Sequence, residues 1–203
     1  MSAIPPTPPR SGGKLDTTPL ATLLPRLELS PEAAACLVGC EVPSQAVERL
    51  ASGALPIEAA RLCAHALPAR EAVWWATRCA GATAPKDLPE ADREARALAE
   101  AWVRQRADAT RRAAMDKAQQ AGCTSPEAWA AIAAFWSGDS MSPPEQPKVP
   151  PAPHLTGVAV AGSVILSSVR GDPTRQPDRL ARFLDSAREI AAGGAGHLPW
   201  ETP

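Results

Sequence analysis

Apolar residues along the chain recur at intervals of three and four and almost never alternate, the spacing of amphipathic helices and not of strands. The first clear start is Leu29-Ser30-Pro31-Glu32. Ser30 can accept from the orphan amides, Pro31 fits the first turn without losing a hydrogen bond, and Glu32 suits the positive end. Gly39 ends that helix, and a second runs from Ser44 to Ser52. Ala59, Leu62, Cys63, Ala66 and Leu67 form the apolar face of a third, which Pro68 breaks while opening a fourth with Val73, Trp74, Thr77 and Ala80 inward. A longer helix over about 90–106 sets Ala95, Leu98, Ala99, Trp102 and Val103 against a wet side of Glu94, Arg96, Glu100 and Arg104. Asp108 or Thr110 caps a polar helix that ends near Gly122. Thr124-Ser125-Pro126-Glu127 repeats the first start signal and opens a helix with Trp129, Ile132, Ala133 and Trp136 on one face. The uncharged LTGVAVAGSVILSSV and an amphipathic segment from Asp178 to Ala192, with Leu180, Phe183, Leu184, Ala187 and Ile190 inward, complete the series.

Proline and glycine set the divisions between these elements. Residues 1–22 read as a disordered Pro-rich tail, 23–138 as a helical domain, and 139–154 as a Pro-rich linker that cannot form helix. Residues 155–192 read as a C-terminal helical hairpin packed on that domain, and 193–203 as a flexible glycine-rich end. The uncharged helix spans roughly 22 Å at 1.5 Å per residue, short of a bilayer core of about 30 Å. It is expected to be buried on several sides, with Gly157 and Gly162 letting neighbours approach. The fold class is therefore all-α, stacked short helical hairpins in an irregular bundle of about eight to nine helices.

Composition agrees. Hydrophobic residues make up 45% of the 203, but alanine supplies many of them; there is no Tyr, and six Trp with two Phe carry the aromatic bulk. Lys and Arg number 21 against 22 Asp and Glu, so nothing offers the cationic surplus that non-specific nucleic-acid binding needs. The start MSAIPPTPPRSGGK lacks the apolar run of an export signal, and the pair Arg111-Arg112 is internal, which points to the cytoplasm. The five cysteines are expected to be reduced.

The residues with chemistry to offer do not form familiar sets. Cys36 and Cys40 supply two zinc ligands at best, and Cys63 projects nearly opposite to His65 on a helix, so the two cannot act as a local pair. Glu90, Asp92, Glu94 and Glu100 belong to one charged helix face, and Gly193, Gly194 and Gly196 follow no strand and precede no helix, as a phosphate cradle would require. No metal, cofactor or small-molecule ligand is expected. The adjacent Trp74 and Trp75 point about 100° apart, so one narrow face cannot hide both. Trp74, Trp102, Trp129 and Trp136 have partners on apolar stripes, which leaves Trp75 and Trp200 as candidates for partner contact. Arg104, Arg111 and Arg112, with Arg106, form a basic patch that could meet an acidic partner.

The segments HALPAREAVWWATRCA, RRAAMDKAQQAG, SPEAWAAIAAFWSG and LTGVAVAGSVILSSVR resemble an uncharacterised family of bacterial all-helical proteins over roughly residues 22–192. The resemblance implies no catalytic or ligand residues. Some members are associated with type VI secretion gene clusters, which implies an accessory or effector-loading role in the cytoplasm. The expectation is thus a non-catalytic protein-interaction factor. The alternatives are an enzyme with an unfamiliar site near His65 and an immunity-type inhibitor.

Overall fold

A computed structural model of the chain describes residues 13–201. Among the described residues there is no strand, and ten α-helices follow in order. They are α1 (Leu20–Leu23), α2 (Pro31–Cys36), α3 (Pro43–Ser52), α4 (Pro56–Ala66), α5 (Ala69–Ala82), α6 (Glu90–Gln105), α7 (Asp108–Gln120), α8 (Pro126–Trp136), α9 (Leu155–Val169) and α10 (Gln176–Ala191). The all-helical expectation holds; the helix beyond the expected number is the single turn α1, in a segment assigned to the tail.

The start signals act as their chemistry requires. Ser30 Oγ accepts from the Ala33 amide at 3.2 Å and Ser125 Oγ from Ala128 at 3.0 Å, each with a proline in the first turn. At α7 the expected cap is absent. Ala107 occupies that position without a side-chain bond, and Asp108, already inside the helix, turns its carboxylate to Arg112 at 2.6 Å and to Arg111.

α9 is the axis of the bundle, packing against α4, α5, α8 and α10, while α6, α7 and α8 pack on one another at one side. Residues 155–192 pack on the earlier helices chiefly through α9. Having no charge to hydrate, α9 buries Ala159, Val160, Ala161 and Val164, and its buried hydroxyls find carbonyls: Ser163 Oγ donates to Pro126 O at 2.8 Å and Ser167 Oγ to Ser163 O at 2.8 Å. Gly157 explains one close approach. A Cβ there would lie 2.3 Å from His65 Nδ1, so the imidazole occupies the space a side chain would take.

Both ends of the described chain depart from expectation. Order begins before Leu23: Leu15 and Leu20 are buried, and Asp16 accepts from the Ser44 amide and hydroxyl, both at 2.8 Å, at the start of α3. Residues 1–12 of the expected tail lie outside the described residues. The glycine-rich end is bonded to the helices through residue 201. Leu198 is buried, Ser186 Oγ donates to Gly196 O at 2.9 Å, and the Glu201 amide donates to Ala82 O at 2.8 Å. The Glu201 carboxylate takes Arg179 Nε at 3.0 Å, Arg175 at 3.1 Å and Arg182 Nη1 at 2.8 Å, three cations on one anion. Only residues 202–203 of that end are outside the description.

Candidate functional site

The burial of the two adjacent indoles is the reverse of that expected. Trp75 is fully buried, its Nε1 donating to Phe183 O at 2.8 Å, so it is a core residue with no surface to offer a partner. Trp74 is the partly exposed one; it donates Nε1 to Ala195 O at 2.8 Å, with the Arg78 guanidinium 5.3 Å from the ring centroid. The reason lies one turn away in each direction. Trp74 shares its stripe with Arg70 and Arg78, whereas Trp75 shares its own with Ala72, Cys79 and Ala82, all buried.

The expected basic patch is also dispersed. Arg111 is 2% exposed and points inward, donating to Phe135 O at 3.1 Å and Ser140 O at 2.8 Å beside the Phe135 ring. Its charge fastens the 139–154 segment to α7 and is not presented to a partner. Arg112 is half-buried on Asp108. Arg104 is exposed, its nearest carboxylate Glu100 at 4.0 Å. Trp200 is 43% exposed; its Nε1 donates to Ala84 O at 2.8 Å and Lys86 lies 5.8 Å from its ring.

His65 lies half-buried against Gly157. Burial, with Arg26, His154 and Arg61 nearby, pushes its pKa down to about 4, so at neutral pH it is an uncharged ring. Burial pushes the Cys63 thiol up to about 12 and Cys79 well above its ordinary value, which suits packing and not nucleophilic attack. Among the described residues no three His, Cys, Asp or Glu side chains stand together as metal ligands.

Two surface features remain, and of the candidate partner residues only Arg104 lies in either. The first is an open cleft of about 290 Å³ where the start of α5, the end of α6 and the end of α10 meet. Trp74, Val103 and Ile190 give it apolar walls, and Gly193 and Gly194 form a rim without side chains. Lys14, Arg70 and Arg104 face a single carboxylate, Glu71. Burial would raise the Glu71 pKa, but the ion pair with Lys14 at 2.6 Å and the charge of Arg70 outweigh it and hold the carboxyl below its ordinary value.

The second is the outer face of α8 and α9. On α9, Leu155, Val158, Gly162, Ile165 and Val169 are incompletely buried and recur at three- and four-residue spacing, one stripe along the helix. Val158 is 40% exposed. A Cβ on Gly162 would lie 3.2 Å from Trp129, so that indole meets the stripe near its middle. Trp136, also partly exposed, lies two turns further on the same face of α8. The only charged side chain in α8 is Glu127, fully buried, and α9 has none.

Residues 46–191 match a family of unknown function, DUF6931. The chain belongs to that family. The family segment runs from within α3 to the last residue of α10, so it contains the whole α8–α9 face and the cleft residues Arg70, Glu71, Trp74, Val103, Arg104 and Ile190. Lys14, Gly193, Gly194 and the clamped Glu201 lie outside it. No curated protein and no solved structure shows a significant match to the chain.

Proposed function

We propose that the chain is a non-catalytic protein-interaction factor that docks an amphipathic helix of a partner protein along the α8–α9 face. The observation that carries this is a stripe of apolar side chains, flanked by two half-covered indoles, on helices that present no charge to solvent. Interface cores are depleted of charge and enriched in Trp, the composition of this half-covered stripe. Fifteen residues of α9 give the stripe a length of roughly 22 Å, and its spacing is the one a partner helix reads.

In its finer form the proposal makes the chain a cytoplasmic accessory or effector-loading factor of a type VI secretion system, the context the family resemblance implies. A gene lying apart from such clusters in its genome would remove that form and leave the docking face untouched.

The test compares tagged wild-type protein with the Val158→Glu and Arg93→Glu variants, each purified from the native host. Wild type and Arg93→Glu should retain one stoichiometric partner, and Val158→Glu should lose it while keeping the wild-type circular dichroism. Recovery of chaperones alone, or equal retention by Val158→Glu, refutes the proposal.

A further inference from the structure

The cleft beside Trp74 sets three cations, Lys14, Arg70 and Arg104, against one carboxylate, Glu71. Arginines elsewhere are mostly matched: Arg93 by Glu90, Arg112 by Asp108, Arg170 by Glu127, Arg188 by Glu48 and Asp185, and three more by Glu201. In the cleft the one carboxylate, Glu71, is engaged by Lys14 at 2.6 Å. Among the described residues Arg70 has no ion-pair partner, its Nε donating instead to Val103 O at 2.8 Å, and Arg104 reaches only Glu100 at 4.0 Å, a carboxylate shared with Arg96 at 3.7 Å. Both guanidiniums are exposed, and they border an apolar surface of indole, valine and isoleucine. A chain with a net charge of -1 thus concentrates two under-compensated cations around one apolar depression.

We infer that this cleft is a second recognition site, for an acidic linear peptide segment that places an aliphatic side chain against Trp74 and flanking carboxylates on Arg70 and Arg104. Guanidinium forks take carboxylates in paired, planar hydrogen bonds, which gives selectivity for Asp and Glu over their amides. Two such cations are too few for nucleic acid, whose affinity grows with the number of phosphates neutralised. The cleft is open on one side and, at about 290 Å³, lies at the lower edge of the roughly 300–1,000 Å³ typical of enclosed small-molecule pockets. At the rim Gly193 has nothing within 4 Å of where a Cβ would stand, which leaves room for a peptide backbone to pass, while the Glu189 side chain fills that space at Gly194. The site is separate from the α8–α9 face, and either can fail without the other.

The full chain, labelled with ¹⁵N, is titrated with acetyl-Glu-Glu-Leu-Asp-Glu-amide while the indole Nε1 resonance of Trp74, assigned by its loss in Trp74→Phe, is followed. That resonance should shift in a saturable way and weaken on raising salt from about 0.02 M to 0.15 M. The Arg70→Glu, Arg104→Glu double variant should bind about tenfold more weakly or worse. Val158→Glu should bind as wild type does, which separates this site from the docking face. No saturable shift, an equal shift with the Gln/Asn version of the peptide, or undiminished binding by the double variant overturns the inference. So does saturation of the same resonance by adenosine monophosphate with none by the peptide.

Discussion

The bond between Glu127 and Arg170 joins the first turn of α8 to the residue that follows α9. The Glu127 carboxylate is fully buried and accepts Arg170 Nη1 at 2.9 Å and Nη2 as well, while Nη1 also approaches Ala80 O of α5 at 3.4 Å. The partners differ in access to water: the arginine side chain keeps 17% of its surface and the glutamate 0%. Removing the arginine therefore strands an anion that water cannot reach, whereas removing the carboxylate strands a cation that can still be hydrated at its edge. Losing one partner of a buried pair costs about 3–5 kcal/mol, and Arg170→Met should fall in that range. Glu127→Gln keeps shape and one acceptor and should cost about 1–3 kcal/mol. For a chain of this size the Arg170→Met loss corresponds to a Tm lower by roughly 6–20 °C. Urea unfolding of wild type, both single variants and the double variant closes the cycle, and the coupling should exceed about 1 kcal/mol. An Arg170→Met cost below about 1 kcal/mol, or one no larger than that of Glu127→Gln, would refute the argument from unequal burial.

Three further outcomes follow from other contacts. The unfolded chain protonates His65 near the ordinary 6.5 and the folded chain only near about 4, so stability should fall as pH drops through that window and be level above it; urea unfolding at several pH values should show the slope flattened in His65→Gln. Gly157→Ala sets a helix-propensity gain of about 1 kcal/mol against overpacking of about 1–3 kcal/mol on His65, and should destabilise. Gly162→Ala meets only the Trp129 edge at 3.2 Å and should be neutral or better, so thermal melts that rank the two in the opposite order would contradict the packing. Ellman's reagent should titrate Cys36, Cys40 and Cys123 in the native protein and reach the buried Cys63 and Cys79 only after denaturation; five equally fast thiols would be incompatible with the core described.

Helices were legible in the sequence because their signals are local. Ser30-Pro31 and Ser125-Pro126 mark the starts of α2 and α8, and glycine or proline ends most of the others within a residue or two of where they stop. Facing was less legible, because alanine fits a wet side or a packed one equally well, and an alanine-rich helix has no single apolar face to read. Arg70 and Arg78, four residues to either side of Trp74, mark its wetter side, whereas Val73 and Thr77 beside it point to the core. Arg111 likewise lies on the stripe of Ala114 and Ala118, both buried, although the carbonyls that hold it come from residues 135 and 140. Of the cleft, only Arg104 was legible as a candidate. The cleft joins Lys14 to Arg70, Arg104 and Gly194, and the anchoring of the end needs Arg175, Arg179 and Arg182 to converge on Glu201, arrangements that only the tertiary fold creates.

The central position of α9 has a bearing on how the chain reaches its fold during synthesis. The helix around which α4, α5 and α8 assemble is translated after all of them and after the 139–154 segment. Until Leu155–Val169 has left the ribosome, the faces of α4, α5 and α8 that it covers stay open, although α6, α7 and α8 can already pack on one another, and at roughly 5–20 residues per second that interval lasts seconds. The nascent amino-terminal three quarters should therefore behave as a loose helical ensemble that chaperones recognise, and arrest of translation before α9 emerges should leave it protease-sensitive.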